Sequence, residues 1–287
     1  MNAEVIASGV GFTEGPVFLR DGSVAFTSID HGCVYRVGGG ETKVLALTGG
    51  GPNGATEGAD GQLFIAQNGG TTPAHRWPFV TGGVQVVRSG GKVDWLTQDP
   101  ISPNDLCFGP DGFLYVTDPT RGRPSRDDGR IWRCDPGTGS AELLVSVGWY
   151  PNGLGFGLDD DLLYVASTGE RKIWGFRIRD GRLARPESSI QIQRGMPDGF
   201  AFDFHGNLIV AAVGIDGNPG EIQTYDQGGA LIDSFRPGSS AKYTNVALNE
   251  DGTLIITDAD AGSVLLVHDW PTRGLPLHPF RDSSVRR

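Results

Sequence analysis

Six times along the chain a short apolar stretch meets a tight turn and then a second apolar stretch. The segments are TEGPVFLRDGSVAF, PNGATEGADGQLFI, PNDLCFGPDGFLYV, PNGLGFGLDDDLLYV, PDGFAFDFHGNLIV and TNVALNEDGTLII, with one extra turn residue in the fourth. In four of them Asp-Gly falls at the turn (Asp21-Gly22, Asp60-Gly61, Asp111-Gly112, Asp251-Gly252), the strongest short-range signal for a β-hairpin. A third strand-like piece follows, such as GCVYRV, GRIWRCD, RKIWGFRI, GEIQTYD or SVLLVHD, and usually a fourth, such as KVLALT, KVDWLT or AELLVSV. Four strands per unit make a propeller blade. The residues opening the repeat, Glu14, Asn53, Asn104, Asn152, Asp198 and Thr244, are 39, 51, 48, 46 and 46 apart, near the roughly 40–50 residues of a blade. The predicted fold is all-β, a six-bladed β-propeller occupying residues 1–287 as a single domain. EVIASGV, ahead of the first repeat, can supply the strand missing after SVLLVHD and close the last blade without a free edge. A sandwich with regularly spaced turns is the alternative, and six hairpins with matching offsets disfavour it.

Composition agrees with a turn-rich, helix-poor chain: 45 glycines and 18 prolines, with no stretch free of both longer than Ser239 to Asp251. That leaves no room for an apolar span of about 20 residues. The net charge of −10 disfavours partners rich in phosphate, because nucleic acid and anionic membrane surfaces are bound through clustered lysine and arginine. No basic leader precedes an apolar core at the amino terminus. Cys33, Cys107 and Cys134 are an odd number at unrelated spacings, as expected of buried free thiols rather than a disulfide frame. A cytoplasmic location is expected.

In a propeller the first strand of each blade lies nearest the axis, so the six opening residues ring one mouth of the central channel. None is hydrophobic. Two acids and three amides facing one another need a cation or a water network, since an unpaired buried carboxylate is very costly. Oxygen ligands without thiolate or imidazole point to a hard divalent ion. The competing reading is that the asparagines cap turns or bridge blades.

Two long loops open at the same mouth, AQNGGTTPAHRWPFVTGG and TDPTRGRPSRDDG, and loops of that length in a compact domain are usually functional or disordered. They offer His75, Arg76, Trp77, Asp118, Arg121 and Arg126 to the rim of a pocket, unless these charges simply pair on a solvated surface. Trp149 and Tyr150, just before Asn152, are placed to form pocket wall, and His31 in TSIDHG to reach the mouth. No GxSxG, phosphate-binding loop or HExxH is present.

The motifs FTEGPVF, SPNDLCFGPDGFLYVTDP, YPNGLGFGLDDDLLYVAS, MPDGFAFDFHGNLIVAA and YTNVALNEDGTLIITDA, in this order over nearly the whole chain, resemble the family of senescence marker protein 30, gluconolactonase and related calcium-dependent lactonases. The resemblance implies a six-bladed propeller with one catalytic divalent metal at the channel mouth. Its metal-binding glutamate, asparagine and aspartate match Glu14, Asn152 and Asp198, and a further asparagine that contacts substrate or metal matches Asn104. Calcium is the expected ion, with zinc, manganese, magnesium and iron(II) also compatible with such ligands. Two departures fall on the substrate side. Ser102 stands where the animal lactonases have an arginine, and AQNGG replaces a Cys-Glu-His run of many bacterial relatives.

The expected activity is therefore metal-assisted hydrolysis of a lactone of sugar type, with Glu14, Asn152 and Asp198 holding the ion, Asp198 the general base and Asn104 orienting the ester. Substrate contacts are expected from Asn104, Asn53, Trp149, Tyr150, Arg121 and His75. Phosphotriester hydrolysis in the same site, or a binding platform with a structural metal, are the alternatives; fold alone does not choose among them.

Overall fold

The structure is a computed structural model that describes residues 1–70, 80–119 and 129–281. The described residues form six four-stranded antiparallel sheets. Blade one runs from its inner strand Thr13–Phe18 through Val24–Ser28 and Cys33–Gly38 to the outer Glu41–Leu47. The inner strands of the other blades are Pro52–Glu57, Leu106–Phe108, Pro151–Phe156, Met196–Phe202 and Tyr243–Leu248. Inner strands touch in chain order, and the sixth touches the first, so the sheets stand in a closed ring. This is the predicted six-bladed propeller. The last blade is completed by Ala3–Ser8, which pairs antiparallel with Ser263–Val267, Ala3 opposite Val267 and Ser8 opposite Ser263.

The sequence explains which strand goes where. Second strands such as Val24–Ser28 (VAFTS), Leu63–Gln67 (LFIAQ) and Leu254–Asp258 (LIITD) are buried along their whole length, because both faces of a middle strand are covered by neighbouring blades. Outer strands face water on one side, and Glu41–Leu47 (ETKVLAL) and Leu231–Phe235 (LIDSF) are mostly exposed. Six apolar clusters, one between each pair of adjacent blades, make up the core of the described residues. Phe26 and Val24 of blade one meet Ile255 and Val264 of blade six, for example.

The described helical structure is a single 3-10 turn at Ser89–Gly91. None of the described helices is long and apolar enough to cross a membrane. Cys33 and Cys134 are buried and Cys107 is partly buried, all three as free thiols.

Candidate functional site

The inner strands are not regular where the ring of polar side chains begins. Pairing with the second strand slips between Glu14 and Val17, Pro52 and Ala55, Pro151 and Leu154, Pro197 and Phe200, and Tyr243 and Asn245. A bulge at this point bends the strand and re-aims a side chain. Glycine follows the opening residue in four blades (Gly15, Gly54, Gly153, Gly199). A Cβ at Gly153 would lie 2.6 Å from the Asp198 carbonyl oxygen of the next blade, an approach only glycine permits.

Neighbouring blades are joined here through backbone. Thr27 Oγ1 donates to the Asn53 carbonyl at 2.6 Å, Thr117 Oγ1 to the Asn152 carbonyl at 2.7 Å, and Thr244 Oγ1 to the Thr13 carbonyl at 2.8 Å, while the Gly54 amide donates to the Asn104 carbonyl at 2.8 Å. Three of these joints use the main-chain carbonyls of the opening residues.

The Asn104 amide nitrogen donates to Tyr150 Oη at 3.3 Å. The Asn152 amide nitrogen donates to Thr168 Oγ1 at 3.1 Å, whose hydroxyl donates on to the Pro197 carbonyl at 2.9 Å, and Asn152 also hydrogen-bonds the Asp198 carboxyl. An amide nitrogen has two hydrogens. Both are committed in Asn152, so its carbonyl oxygen is the atom it has for a ligand; Asn104 retains one N–H.

Glu14, Asn53, Asn104 and Asn152 are buried. Burial raises the Glu14 carboxyl well above the ordinary carboxylate range, and the charges of Asp198 and then Asp105 push it further. Asp198 is raised by burial and then by Asp105. The Tyr150 phenol is raised by burial, then by Asp198 and Glu14, which places it beside the same acids. Among the described residues, no cationic side chain is among the charges acting on Glu14, Asp105 or Asp198.

Asp105 is the member of this cluster that the repeat alignment passes over. Burial raises its carboxyl to about 7. It occupies the position after the opening residue, where four blades have glycine, and blade six has Asn245. The two side chains are built alike: the Leu106 amide donates to Asp105 Oδ1 and the Val246 amide to Asn245 Oδ1, both at 2.8 Å. Asn245 also hydrogen-bonds Glu14 and Asp105. A Cβ at Gly54 would sit 2.0 Å from Asp105 Oδ1, and one at Gly199 2.0 Å from Asn245 Cγ. Two glycines therefore make the space in which these side chains lie. Comparing the residue after each opening position would have found both.

The remaining candidates divide. Tyr150 joins the ring, whereas the Trp149 ring packs beside Phe176 with centroids 6.3 Å apart, against the core between blades three and four. His31 Nδ1 pairs with Tyr35 Oη at 2.7 Å. His75, Arg76, Trp77, Arg121 and Arg126 lie outside the described residues. Asp118 is not a rim residue: its carboxyl is wholly buried and accepts the amides of Ile101 and Ser102, each at 3.0 Å, and the Trp132 indole N–H at 3.2 Å. The loop reading placed it outside because TDP precedes a polar run, but Asp118 is the last residue of the strand Leu114–Asp118.

Both substrate-side departures have a local structural role. Ser102 is buried, its hydroxyl donating to the Asn68 carbonyl at 3.0 Å. In AQNGG, Gln67 Oε1 accepts the Gly51 amide at 2.6 Å and the Gly69 amide at 3.0 Å.

A family model described as the SMP-30/gluconolactonase/LRE-like region matches residues 12–260, from just before Glu14 to past the last inner strand. The chain belongs to this family. A gluconolactonase of Zymomonas mobilis is 29% identical over 290 residues, covering 89% of this chain and 78% of that protein. Two solved structures share the family's propeller. A gluconolactonase of Xanthomonas campestris superposes with a TM-score of 0.76 at 21% identity, over 95% of this chain and 89% of that one. A regucalcin of Agrobacterium tumefaciens, a calcium-binding protein, gives 0.75 at 17% identity, over 97% of each chain.

Proposed function

We propose that the chain is a hydrolase that opens a lactone at the ring of Glu14, Asn104, Asn152 and Asp198, with one divalent cation bound there. The observation that carries this reading is the gathering of three carboxyls, the buried Glu14 and the half-buried Asp198 and Asp105, with no cationic side chain among the described residues acting on them. Carboxylates gathered out of water are unfavourable without a counter-charge. Oxygen donors from two of them and from the Asn152 carbonyl suit a hard ion such as calcium.

Glu14, Asn152 and Asp198 would hold the ion. Bound there, a divalent cation supplies Lewis-acid polarisation of the ester carbonyl. The free N–H of Asn104, whose other N–H is fixed on Tyr150, donates to a lactone oxygen and sets the ring's orientation. Asp198 accepts a proton from water as the water oxygen bonds to the carbonyl carbon. It returns that proton to the ring oxygen as the carbon–oxygen bond breaks, leaving the open-chain hydroxy acid. A carboxylate beside a cation is normally a weak base. Here burial, and after it the adjacent Asp105, oppose that effect by raising Asp198, which brings its basicity toward the operating pH.

The 29% identical gluconolactonase supports a sugar-derived lactone as substrate class. The test is proton release from a panel of sugar and aliphatic γ- and δ-lactones, with a neutral phosphotriester alongside, using chelator-stripped protein restored with single divalent ions. Lactone turnover lost on stripping and regained with one ion is the expected result. No lactone turnover by protein that has rebound metal overturns the reading, and turnover of the phosphotriester alone transfers the site to that substrate.

A further inference from the structure

Glu14 and Asp198 differ from Asn152 in one respect that matters for a cation. Either oxygen of a carboxylate can face a positive ion, whereas an amide has one oxygen to offer and turns a donor toward the ion when it flips. Asn152 therefore needs a partner that fixes its orientation, and the second strand of its blade leads to one. Ser28, Gln67, Ser167, Ala212 and Asp258 lie opposite the residue before the opening position in blades one, two, four, five and six. The residue that follows each is Ile29, Asn68, Thr168, Val213 and Ala259. Blades one and five, which carry the carboxyls, have Ile29 and Val213 there, and of these five positions the one in blade four alone bears a hydroxyl.

We infer, on the reading that Glu14, Asn152 and Asp198 hold one divalent cation, that Thr168 is a positioning residue: it locks the Asn152 amide with its oxygen toward the ion and so sets the affinity of the site. Thr168 Oγ1 donates its hydrogen to the Pro197 carbonyl at 2.9 Å. What the hydroxyl oxygen has left for Asn152 is lone pairs, so it accepts from the amide nitrogen, at 3.1 Å, and cannot pair with the amide oxygen. The other amide hydrogen goes to the Asp198 carboxyl. The hydroxyl is delivered from a fixed place, because the Thr168 amide donates to the Tyr150 carbonyl at 3.4 Å and its carbonyl accepts the Arg171 amide at 3.2 Å. Arg171 holds a left-handed backbone, φ 58°, and its Nε donates to the Gly195 carbonyl at 2.9 Å. The turn that carries Thr168 is thus tied both to the entry of the Asn152 strand and to the segment that leads into Asp198.

The test reads cation affinity and does not use hydrolysis. Metal-free full-length protein is titrated calorimetrically with calcium, and with manganese, magnesium and zinc should calcium give no heat. Thr168→Val keeps the shape and removes the hydroxyl; it should weaken binding about 10- to 100-fold, the range for groups that orient a ligating side chain. Thr168→Ser restores the hydroxyl and should bind within about threefold of the parent. Thr168→Ala repeats the loss should Thr168→Val melt early. A cycle with Asn152→Asp separates orientation of the amide from support of the backbone. The two oxygens of an aspartate are equivalent, so adding Thr168→Val to Asn152→Asp should change its affinity by less than about threefold. Thr168→Val binding as tightly as the parent overturns the inference. So does Thr168→Ser binding no better than Thr168→Val, or Thr168→Val weakening the parent and Asn152→Asp equally. A parent that binds none of the ions overturns the cation reading itself, and this inference with it.

Discussion

Asn245 shows how a single residue can serve several acids. Its carbonyl oxygen is held by the Val246 amide, and its nitrogen supports both Glu14 and Asp105. Asn245→Asp keeps an acceptor for Val246 but replaces the donor with a fourth carboxyl. The metal-free variant should melt below the parent at pH 8, and calcium should raise its melting temperature by more than it raises the parent's; equal calcium shifts would remove Asn245 from the ring's electrostatics. The space it fills can be tested separately. Gly199→Ala puts a methyl 2.0 Å from Asn245 Cγ and should cost about 1–3 kcal/mol in urea unfolding. Gly169→Ala, with nothing within 4 Å, should fall within about 0.5 kcal/mol of the parent. The opening residues of the ring were legible in the sequence because they recur at one offset and are polar where small or apolar residues were expected. Asp105 and Asn245 were not, because attention to the opening position hides a substitution of glycine one residue later. Asp118 was misplaced for a related reason: a charged residue beside a polar loop reads as loop, and its burial depends on backbone amides sixteen and seventeen residues away.

At the scale of the blade, sequence legibility follows burial. The second strands are continuous apolar runs and stand out. Arg182–Gln191 (RLARPESSIQ) and Leu231–Phe235 (LIDSF) are outer strands with largely exposed residues, so they lack the apolar alternation that identifies a strand and take their place by pairing with Lys172–Arg179 and Glu221–Tyr225. What sequence periodicity omits altogether is the joint between blades. Thr27 and Thr117 sit on second strands and reach across to the carbonyls of Asn53 and Asn152. Each joint fixes the backbone of a residue whose side chain faces the channel. Thr27→Val preserves shape while leaving a buried carbonyl unpaired, at a cost of about 1–3 kcal/mol, and Thr117→Val should cost a similar amount. The joints lie on different blades and share no partner, so the double variant should show the sum to within about 0.5 kcal/mol. A double variant no weaker than either single one in urea unfolding would mean that the joints act as one unit.

For the whole molecule, the acid ring ties stability to pH, and the proposed cation would tie it to metal as well. Glu14 and Asp198 are raised above the ordinary carboxylate range and Asp105 reaches about 7, in each case chiefly by burial. In the unfolded chain these groups return to ordinary values near 4. Between that value and the folded one, the folded protein binds more protons than the unfolded, so stability falls as pH rises. The ring's contribution is fully present below about pH 4 and is lost as pH climbs through about 7 and beyond; carboxylates elsewhere that are paired, such as Glu221 with Arg194 and Arg236, act in the opposite direction and set the acid limit. Metal-free protein should therefore melt at a higher temperature near pH 5.5 than near pH 8.5. A cation in the ring favours the charged carboxylates and releases their protons, so it should remove most of that slope. Calcium should accordingly raise the melting temperature more at pH 8.5 than at pH 5.5, and calorimetric titration at pH 6.5 in buffers of different ionisation heat should detect proton release on binding. Glu14→Gln removes one titrating acid and one ligand together. It should flatten the pH dependence of the metal-free protein and abolish the calcium shift. A calcium shift that survived Glu14→Gln unchanged would place the ion away from the ring.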